Sequence, residues 1–171
     1  MRLAVVFKRV SGETRLRKPQ ELREDGLELG LERSIASRLQ VSAGYALQDS
    51  EIRRTTSAAP AGRQVPLVPR HSFSLWTKYQ ASKAFGAGLG LLARSKGTAS
   101  LGGAGAVSTA TVLPGYARLD GALYYKLMPG IEAQLNVENL TDRDYFPTAH
   151  NDNNIAPGAP TTARATLRLT F

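Results

Sequence analysis

The chain has no cysteine among its 171 residues, so disulfide bonds and thiolate metal sites are excluded. It also has no apolar run near the roughly 18 residues of a membrane-spanning helix. Its first eight residues, MRLAVVFK, hold one early charge and a short apolar stretch. That stretch is shorter than the apolar region of a secretory signal, so we expect no signal peptide in this chain. None of these absences excludes membrane strands, which carry apolar residues only at alternate positions.

Recognisable nucleic-acid motifs are missing as well, although basic residues exceed acidic ones by 22 to 14 and the formal charge is +8. A nucleic-acid-binding domain would combine such a charge with a binding motif. The basic run Arg15–Lys18 lies beside Pro19 and is typical of a solvated loop. The sequence therefore predicts no nucleic-acid partner.

Catalytic and metal-binding patterns are also lacking. No serine lies in a G-x-S-x-G segment. His71 and His150 lie far apart and lack the spacing of zinc ligands. The stretch Gly102–Ala106 does not end in the Lys-Ser/Thr of a phosphate-binding loop. We therefore expect no catalytic residue, no cofactor site and no metal site.

Strict alternation is what the sequence does contain, most clearly in residues 162–171. Ala163, Ala165, Leu167, Leu169 and Phe171 share one face, and the opposite face carries Arg164 and Arg168. Successive side chains of a strand point to opposite sides of its sheet. An outer-membrane barrel strand presents apolar residues to lipid, polar residues to the lumen, and an aromatic residue where it leaves the bilayer. Phe171 would occupy that last position.

The same alternation recurs in segments at about 27–35, 39–48, 72–79, 85–91, 118–127 and 131–138. With the first and last segments this makes about eight strands, each close to the length that crosses a bilayer when tilted. The predicted fold class is all-β, an antiparallel transmembrane β-barrel meander.

Short and long connections alternate between these segments. The predicted tight turns are Ser34–Ser37, Ala81–Ala84 and Met128–Gly130, and the predicted long connections are Ser11–Asp25, Gln48–Pro69, Arg94–Pro114 and Arg143–Pro160. Barrels of the bacterial outer membrane have short periplasmic turns and long extracellular loops. The last long connection is therefore expected to face outward.

One segment carries a family resemblance, Asn136-Val-Glu-Asn-Leu-Thr-Asp-Arg-Asp-Tyr145. It resembles the N-x-x-N-L-x-D-x-x-Y segment near the C-terminus of TonB-dependent outer-membrane receptors. The motif positions are Asn136, Asn139, Leu140, Asp142 and Tyr145, and we expect Asn139 and Asp142 to order the strand end through side-chain to backbone bonds. Residues 150–160 resemble the siderophore-receptor branch, including its catecholate type, and residues 68–76 and 114–120 add supporting matches.

The resemblance implies the last third of a 22-stranded barrel, with residues 1–171 forming one barrel segment that lacks the plug domain. It implies a location in the outer membrane of a Gram-negative bacterium and a part in ferric-siderophore uptake. Ferric siderophore and TonB would then be partners only in a full-length receptor. The resemblance also implies that Leu167, Leu169 and Phe171 are read by the barrel-assembly machinery. The alternative is that Phe171 only anchors the strand in lipid, which any large apolar residue could do.

Arginines in the predicted outer loops, together with His150, are weaker candidates for contacts with an anionic iron chelate: Arg53, Arg54, Arg63 and Arg70. The same arginines would equally suit anionic lipopolysaccharide.

Two other functions remain open from the sequence. One is a stand-alone eight-stranded outer-membrane barrel for adhesion or structure, whose first strand pairs with its last. The other is a soluble lipocalin-like barrel that turns its apolar faces inward around a small ligand. Periodicity alone does not separate inside from outside.

Overall fold

A computed structural model describes residues 3–15, 21–35, 37–54, 61–100 and 111–170, with side chains from Arg23 onward. The chain order of strands is β1 (Leu3–Arg15), β2 (Glu21–Ile35), β3 (Leu39–Ile52), β4 (His71–Gln80), β5 (Phe85–Arg94), β6 (Gly97–Thr98), β7 (Val112–Leu113), β8 (Tyr116–Met128), β9 (Ile131–Glu138), β10 (Thr148–Asn151), β11 (Asn154–Ala156) and β12 (Thr162–Leu169). No helix long and apolar enough to cross a membrane occurs in the described part.

Eight of these strands form one antiparallel sheet in the order β1-β2-β3-β4-β5-β8-β9-β12. Each strand pairs with the next large strand along the chain, so the predicted meander is confirmed. β1 and β12 lie at opposite edges of the sheet, whereas a stand-alone closed barrel would pair them. β6 pairs with β7 and β10 with β11, and each pair is a small separate sheet inside a connection.

The sheet has one apolar and one polar face because the register matches like with like. Leu75 pairs with Ala43 on one side and Leu91 on the other, and Leu123 pairs with Ala87 and Leu135. The apolar face is open, with Leu89 53 % and Leu167 58 % exposed. Exposed leucines on several neighbouring strands are unusual for a soluble monomer, and such a face suits contact with lipid.

Three tight turns join strands at one end of the sheet, which we call the short-turn end. Ser37 adopts a positive φ of 36° between β2 and β3, and Gly130 a φ of 81° between β8 and β9. Between β4 and β5, the Ser82 hydroxyl accepts hydrogen bonds from the backbone N–H groups of Ala84 and Phe85. Polar turn residues and glycine suit such conformations. Tight turns occur at all three predicted places, although Ser34, Ile35 and Met128 still belong to strands and residue 36 lies outside the described residues.

The opposite, long-loop end carries three extended connections, named L2 (residues 53–70), L3 (95–115) and L4 (139–161). The prediction of a long first connection over Ser11–Asp25 is wrong, because β1 and β2 remain paired as far as Arg15 and Glu21. β3 likewise continues to Ile52. The strands extend past the apolar face into a charged region, where both sides can be polar and alternation gives no signal.

Candidate functional site

Trp76 lies on the polar face and is accommodated by two glycines of β5. A Cβ added at Gly88 would lie 2.7 Å from the Trp76 ring, and one at Gly90 would lie 2.6 Å from it. The indole therefore lies against the backbone of the neighbouring strand, which only glycine permits at such close approach. Glycines at alternate positions of β5 thus make room for the Trp76 ring on the polar face.

Toward the short-turn end, the polar face carries paired and stacked charges. The Lys78 ammonium lies 4.0 Å from the centre of the Tyr124 ring, a cation–π contact. The Lys126 ammonium lies 3.6 Å from the Glu132 carboxylate, and Gln134 donates a hydrogen bond of 2.7 Å to Asn136. A sheet face with these groups suits the interior of a barrel that is filled with water or with other polar groups.

Asn139 organises the start of L4 and is 1 % exposed, with a φ of 54°. Its side-chain amide donates to the carbonyl oxygens of Arg143 (3.0 Å) and Ala159 (3.1 Å), and its amide oxygen accepts from Arg143 N–H (3.1 Å). Its own N–H donates to the Asp120 carboxylate at 2.9 Å. The buried Asn139 side chain thereby holds both ends of L4 together, and the backbone N–H of the same residue joins them to β8.

Asp142 closes the same corner from the other side, with a φ of 48°. Its carboxylate accepts from the backbone N–H of Thr161 at 3.0 Å and from the Thr161 hydroxyl at 3.2 Å. That hydroxyl also lies 2.7 Å from the carbonyl oxygen of Asn139, to which it can donate. Asn and Asp tolerate such left-handed backbone better than most residues do. The path from β9 to β12 is therefore fixed next to the wall.

Tyr145 connects L4 with the polar face of β8. It is 7 % exposed, and its hydroxyl accepts a hydrogen bond of 3.0 Å from Arg118. Arg118 also pairs with Asp120 at 2.8 Å and with Glu138 at 3.6 Å. The Tyr145 ring contacts Tyr116 with centroids 4.8 Å apart. Gly158 faces the ring so closely that an added Cβ would lie 2.2 Å from it.

Of the other motif residues, Leu140 is 45 % exposed, and an added Cβ at Gly121 would lie 3.1 Å from its side chain. Asn136 lies on the polar face of β9 and accepts from Gln134. The motif therefore combines a polar corner with one apolar contact against the strand.

L3 and L4 meet at Asp152, whose carboxylate accepts hydrogen bonds from the Ser100 hydroxyl and, at 3.1 Å, from the backbone N–H of Thr111. Beside it lies an apolar cluster of Ala99, Leu113 and Ala149, each 6 % exposed or less, against which Ile155 packs. The hydrogen bond from Ser100 lowers the pKa of the Asp152 carboxyl, as do the bond from Thr111 and, more weakly, the positive charge of Arg63.

The five weaker candidates lie on L2 and L4. Arg53 pairs with Glu51 at 3.6 Å. Arg54 and Arg70 are exposed, and the Arg70 carbonyl accepts from Gln48 N–H. The positive charge of Arg63 in L2 lowers the pKa of the Asp152 carboxyl in L4. His150 is exposed and lies 3.3 Å from the Asn151 amide nitrogen.

The terminal strand is present as predicted over Thr162–Leu169, with Leu167 and Leu169 both more than half exposed on the apolar face. Phe171 lies outside the described residues. Within the described ranges no group of three or more His, Cys, Asp or Glu side chains could hold a metal ion. The arrangement offers hydrogen-bond donors and charges that could bind a polar ligand.

Sequence reasoning missed Arg118, Gly158, Asp152 and Ser100. Arg118 lies in the segment 114–120, which resembles the same receptor family, so its role had a partial signal. Ser100 and Asp152 are 52 residues apart, and nothing in the spacing of either indicated the contact. Gly158 faces Tyr145 across a loop, so its requirement is visible only in three dimensions.

Comparison with known proteins gives a consistent result. The family described as TonB dependent receptor-like, beta-barrel, matches residues 7–140. The probable TonB-dependent receptor BfrD of Bordetella pertussis is 35 % identical over 153 residues, covering 87 % of this chain and 21 % of BfrD. The catecholate siderophore receptor Fiu of Escherichia coli K12 is 34 % identical over 151 residues, covering 87 % of this chain and 20 % of Fiu.

Solved structures agree on the fold. The siderophore receptor PiuA of Acinetobacter baumannii superposes with a TM-score of 0.80 at 24 % identity, over 98 % of this chain and 26 % of PiuA. The ferric-catecholate import receptor Fiu, in its closed form, gives a TM-score of 0.76 at 29 % identity, over 93 % of this chain and 23 % of Fiu.

The chain spans about a fifth of the length of the curated relatives that it matches. Within that span, the family match covers most of the chain, and the sheet order and the two distinct faces fit a barrel wall. This chain belongs to the TonB-dependent receptors and forms part of their β-barrel.

Proposed function

We propose that this chain takes part in ferric-siderophore uptake as part of the barrel wall of an outer-membrane receptor, and that its ligand is of the catecholate class. The observation that carries this proposal is the match to Fiu, which covers 87 % of the chain at 34 % identity and 93 % of it in three dimensions. In this proposal all 171 residues belong to one barrel segment. The chain is a receptor component without catalytic activity.

The two faces of the sheet support a transmembrane placement. The apolar face would contact lipid, the polar face would line the lumen, and L2, L3 and L4 would face the outside. In this orientation Arg53, Arg54, Arg63, Arg70 and His150 lie on outer loops. Their charges would raise the local concentration of an anionic ferric chelate, or would contact lipopolysaccharide phosphates in the same leaflet.

Other partners follow from the same placement. TonB and the ferric siderophore would engage only the complete receptor, because the chain covers a fifth of its relatives. The barrel-assembly machinery would read Leu167, Leu169 and Phe171, whose alternation ends in an aromatic residue. The motif residues Asn136, Asn139, Leu140, Asp142 and Tyr145 would serve structure by fixing L4 on the wall.

A chimera tests the uptake proposal. The segment of Fiu that this chain matches is replaced by the chain, and the chimera is expressed in an E. coli strain that lacks its own catecholate receptors. We expect growth on ferric catecholates under iron limitation, and loss of that growth in a strain without TonB. The matched control is Fiu with the same segment deleted.

Surface labelling first establishes that the chimera reaches the outer membrane. A correctly inserted chimera that supports uptake of a ferric hydroxamate, and of no ferric catecholate, would overturn the assigned ligand class. A correctly inserted chimera that supports no iron uptake at all would overturn the uptake proposal.

A further inference from the structure

Asp152 of L4 holds both ends of the segment that runs from Ser100 to Thr111 in L3. One carboxylate oxygen accepts from the Ser100 hydroxyl and the other from the Thr111 N–H. Hydrogen bonds to an ionised carboxylate are stronger than those between neutral groups. The Asp152 side chain of L4 therefore holds Ser100 and Thr111 of L3 close to each other.

An apolar contact supports the same junction. Ala99 and Leu113 of L3 are buried with Ala149 of L4, and Ile155 packs on them. Ala99 N–H also donates to the Thr111 carbonyl at 2.8 Å, which pairs the two ends of the L3 segment directly. Burial of apolar surface and a charged hydrogen-bond acceptor thus hold L3 and L4 together by two independent means.

L2 and the barrel wall are linked to this junction. Leu67 N–H of L2 donates to the Thr98 carbonyl of L3 at 2.9 Å. L4 is fixed to β8 through Asn139 and Tyr145, which bond to Asp120 and Arg118. A continuous series of contacts therefore runs from the wall through L4 to L3 and L2.

We propose that Asp152 is a positioning residue that keeps L3 and L4 joined as one ligand-recognition surface, before and during ligand binding. This inference rests on the uptake function proposed above. We call the contact of Asp152 with Ser100 and Thr111, together with the Ala99–Leu113–Ala149 cluster, the L3–L4 joint. Because the joint combines buried apolar groups with charged hydrogen bonds, it acts as a fixed connection and not as a gate that opens.

Cysteine cross-linking tests whether the joint stays closed, and this chain contributes no cysteine of its own. The chimera, with any cysteine of its Fiu part replaced, receives the pair Ser100→Cys and Asp152→Cys. The control pair is Ser100→Cys with Asp144→Cys, since Asp144 is an exposed carboxylate of the same connection. We expect rapid disulfide formation without ligand in the first pair and slow formation in the control pair.

Uptake by the cross-linked chimera then separates a joint from a gate. A fixed joint predicts that the oxidised chimera binds and takes up ferric catecholate as well as the unsubstituted chimera does, because the disulfide replaces the hydrogen bonds of Asp152. Loss of uptake on oxidation, restored by a reducing agent, would show that the loops must separate, and this result would overturn the proposal. Equal oxidation rates in the two pairs would also overturn it, and this readout needs no ligand.

Substitution tests the positioning role itself. Asp152→Ala removes both acceptors and is expected to weaken ferric-catecholate binding about tenfold, the loss that corresponds to roughly two net hydrogen bonds. Asp152→Asn keeps an acceptor for Thr111 N–H and is expected to restore part of the affinity. Asp144→Ala is expected to leave affinity unchanged.

Amide exchange gives a second measurement that does not depend on the ligand. The N–H groups of Ala99 and Thr111 are expected to exchange faster in Asp152→Ala than in Asp144→Ala. If Asp152→Ala neither raises this exchange nor lowers affinity in a chimera that takes up iron, Asp152 has no positioning role. If the chimera takes up no iron, the exchange and cross-linking results still decide whether the joint exists.

Discussion

At the scale of single residues, the two ends of L4 depend on residues packed so closely that an added methyl group would overlap its neighbour. Gly158 touches the Tyr145 ring, and its N–H donates to the Tyr145 carbonyl at 2.7 Å. The same tyrosine accepts from Arg118, so a shift of its ring also disturbs the Arg118 ion pairs with Asp120 and Glu138. Small changes at this corner therefore affect contacts on two strands, β8 and β9.

Gly158→Ala is expected to destabilise the folded protein by about 1–3 kcal/mol, because the added methyl group would overlap the Tyr145 ring. The free energy of unfolding in urea, measured in detergent micelles, gives the value. Gly30→Ala is the matched control, since an added Cβ there meets nothing within 4 Å. Equal effects of the two substitutions would contradict this account of Gly158.

Asn139→Ala is expected to cost about 1–3 kcal/mol or more, because it leaves the carbonyl oxygens of Arg143 and Ala159 without their donor. Increased proteolysis within L4 would report the same loss. Asn153→Ala, an exposed substitution in the β10–β11 turn, serves as the control. A variant at Asn139 as stable and as protease-resistant as the control would show that these bonds are dispensable.

The L3–L4 joint is expected to weaken at low pH. The pKa of Asp152 is lowered in the folded joint, so its contribution is complete above the ordinary carboxyl pKa and is lost as the pH falls through the lowered value. Ser100, Thr111 and Arg63 are the groups that set this pKa. The ratio of amide exchange rates between Asp152→Asn and the unsubstituted protein should fall toward one on acidification. A ratio that does not change with pH would exclude the carboxylate as the cause.

At the scale of elements, alternation made the large strands predictable because each separates lipid-facing from lumen-facing residues. The ends of the alternating segments also located the three tight turns as short connections. Alternation failed at the long-loop end of β1, β2 and β3, where charged residues such as Asp25 and Asp49 pair on the face that is apolar lower down. The hairpins β6–β7 and β10–β11 are two to four residues per strand, too short for a periodic signal.

Residues of the candidate site could be predicted from the sequence only where they belong to one local motif. Asn139, Asp142 and Tyr145 lie within seven residues of each other, and their spacing was visible in the sequence. Arg118, Ser100 and Asp152 act across strands and loops, so their contacts follow from the fold. The tight fit of Trp76 against Gly88 and Gly90 is likewise set by register, since Trp76 pairs with Gly90 across β4 and β5.

Gly90→Ala is expected to displace the Trp76 indole from the wall, because the added Cβ would lie 2.6 Å from the ring. Trp76 is the sole tryptophan of the chain, so its fluorescence reports the change directly. Acrylamide quenching should increase in Gly90→Ala and stay unchanged in Gly30→Ala. Identical quenching in both variants would show that the indole does not depend on this glycine.

At the scale of the whole molecule, the two faces of the sheet determine the environment in which the chain is stable. The apolar face includes exposed leucines across several strands, while the polar face carries ion pairs and amides. Family membership places this division in a barrel wall, so the apolar face is turned outward and the soluble lipocalin-like alternative does not apply. The two sheet edges need neighbouring strands, because unpaired backbone groups in lipid cost several kcal/mol each.

Leu89→Arg is expected to reduce membrane insertion of the chimera, since arginine at the middle of a lipid-facing surface costs about 2–4 kcal/mol. Leu89 is 53 % exposed and lies in the middle of the apolar face. Ser42→Arg, on the polar face beside Glu32, is the matched control and is expected to insert normally. Protection from added protease in isolated outer membranes measures insertion, and equal protection of both variants would contradict the assignment of Leu89 to the lipid-facing side.

The extension of β2 and β3 beyond the apolar face has a consequence for immune recognition. Arg23 pairs with Glu51 and Asp25 with Asp49 in the strand register, and Gln48 bonds to Glu24 across the strands. In the proposed orientation these groups stand above the lipid on a hydrogen-bonded ribbon whose shape is held by its backbone. An antibody raised against this ribbon in its folded form would bind intact cells and would fail to recognise the same residues as a linear peptide.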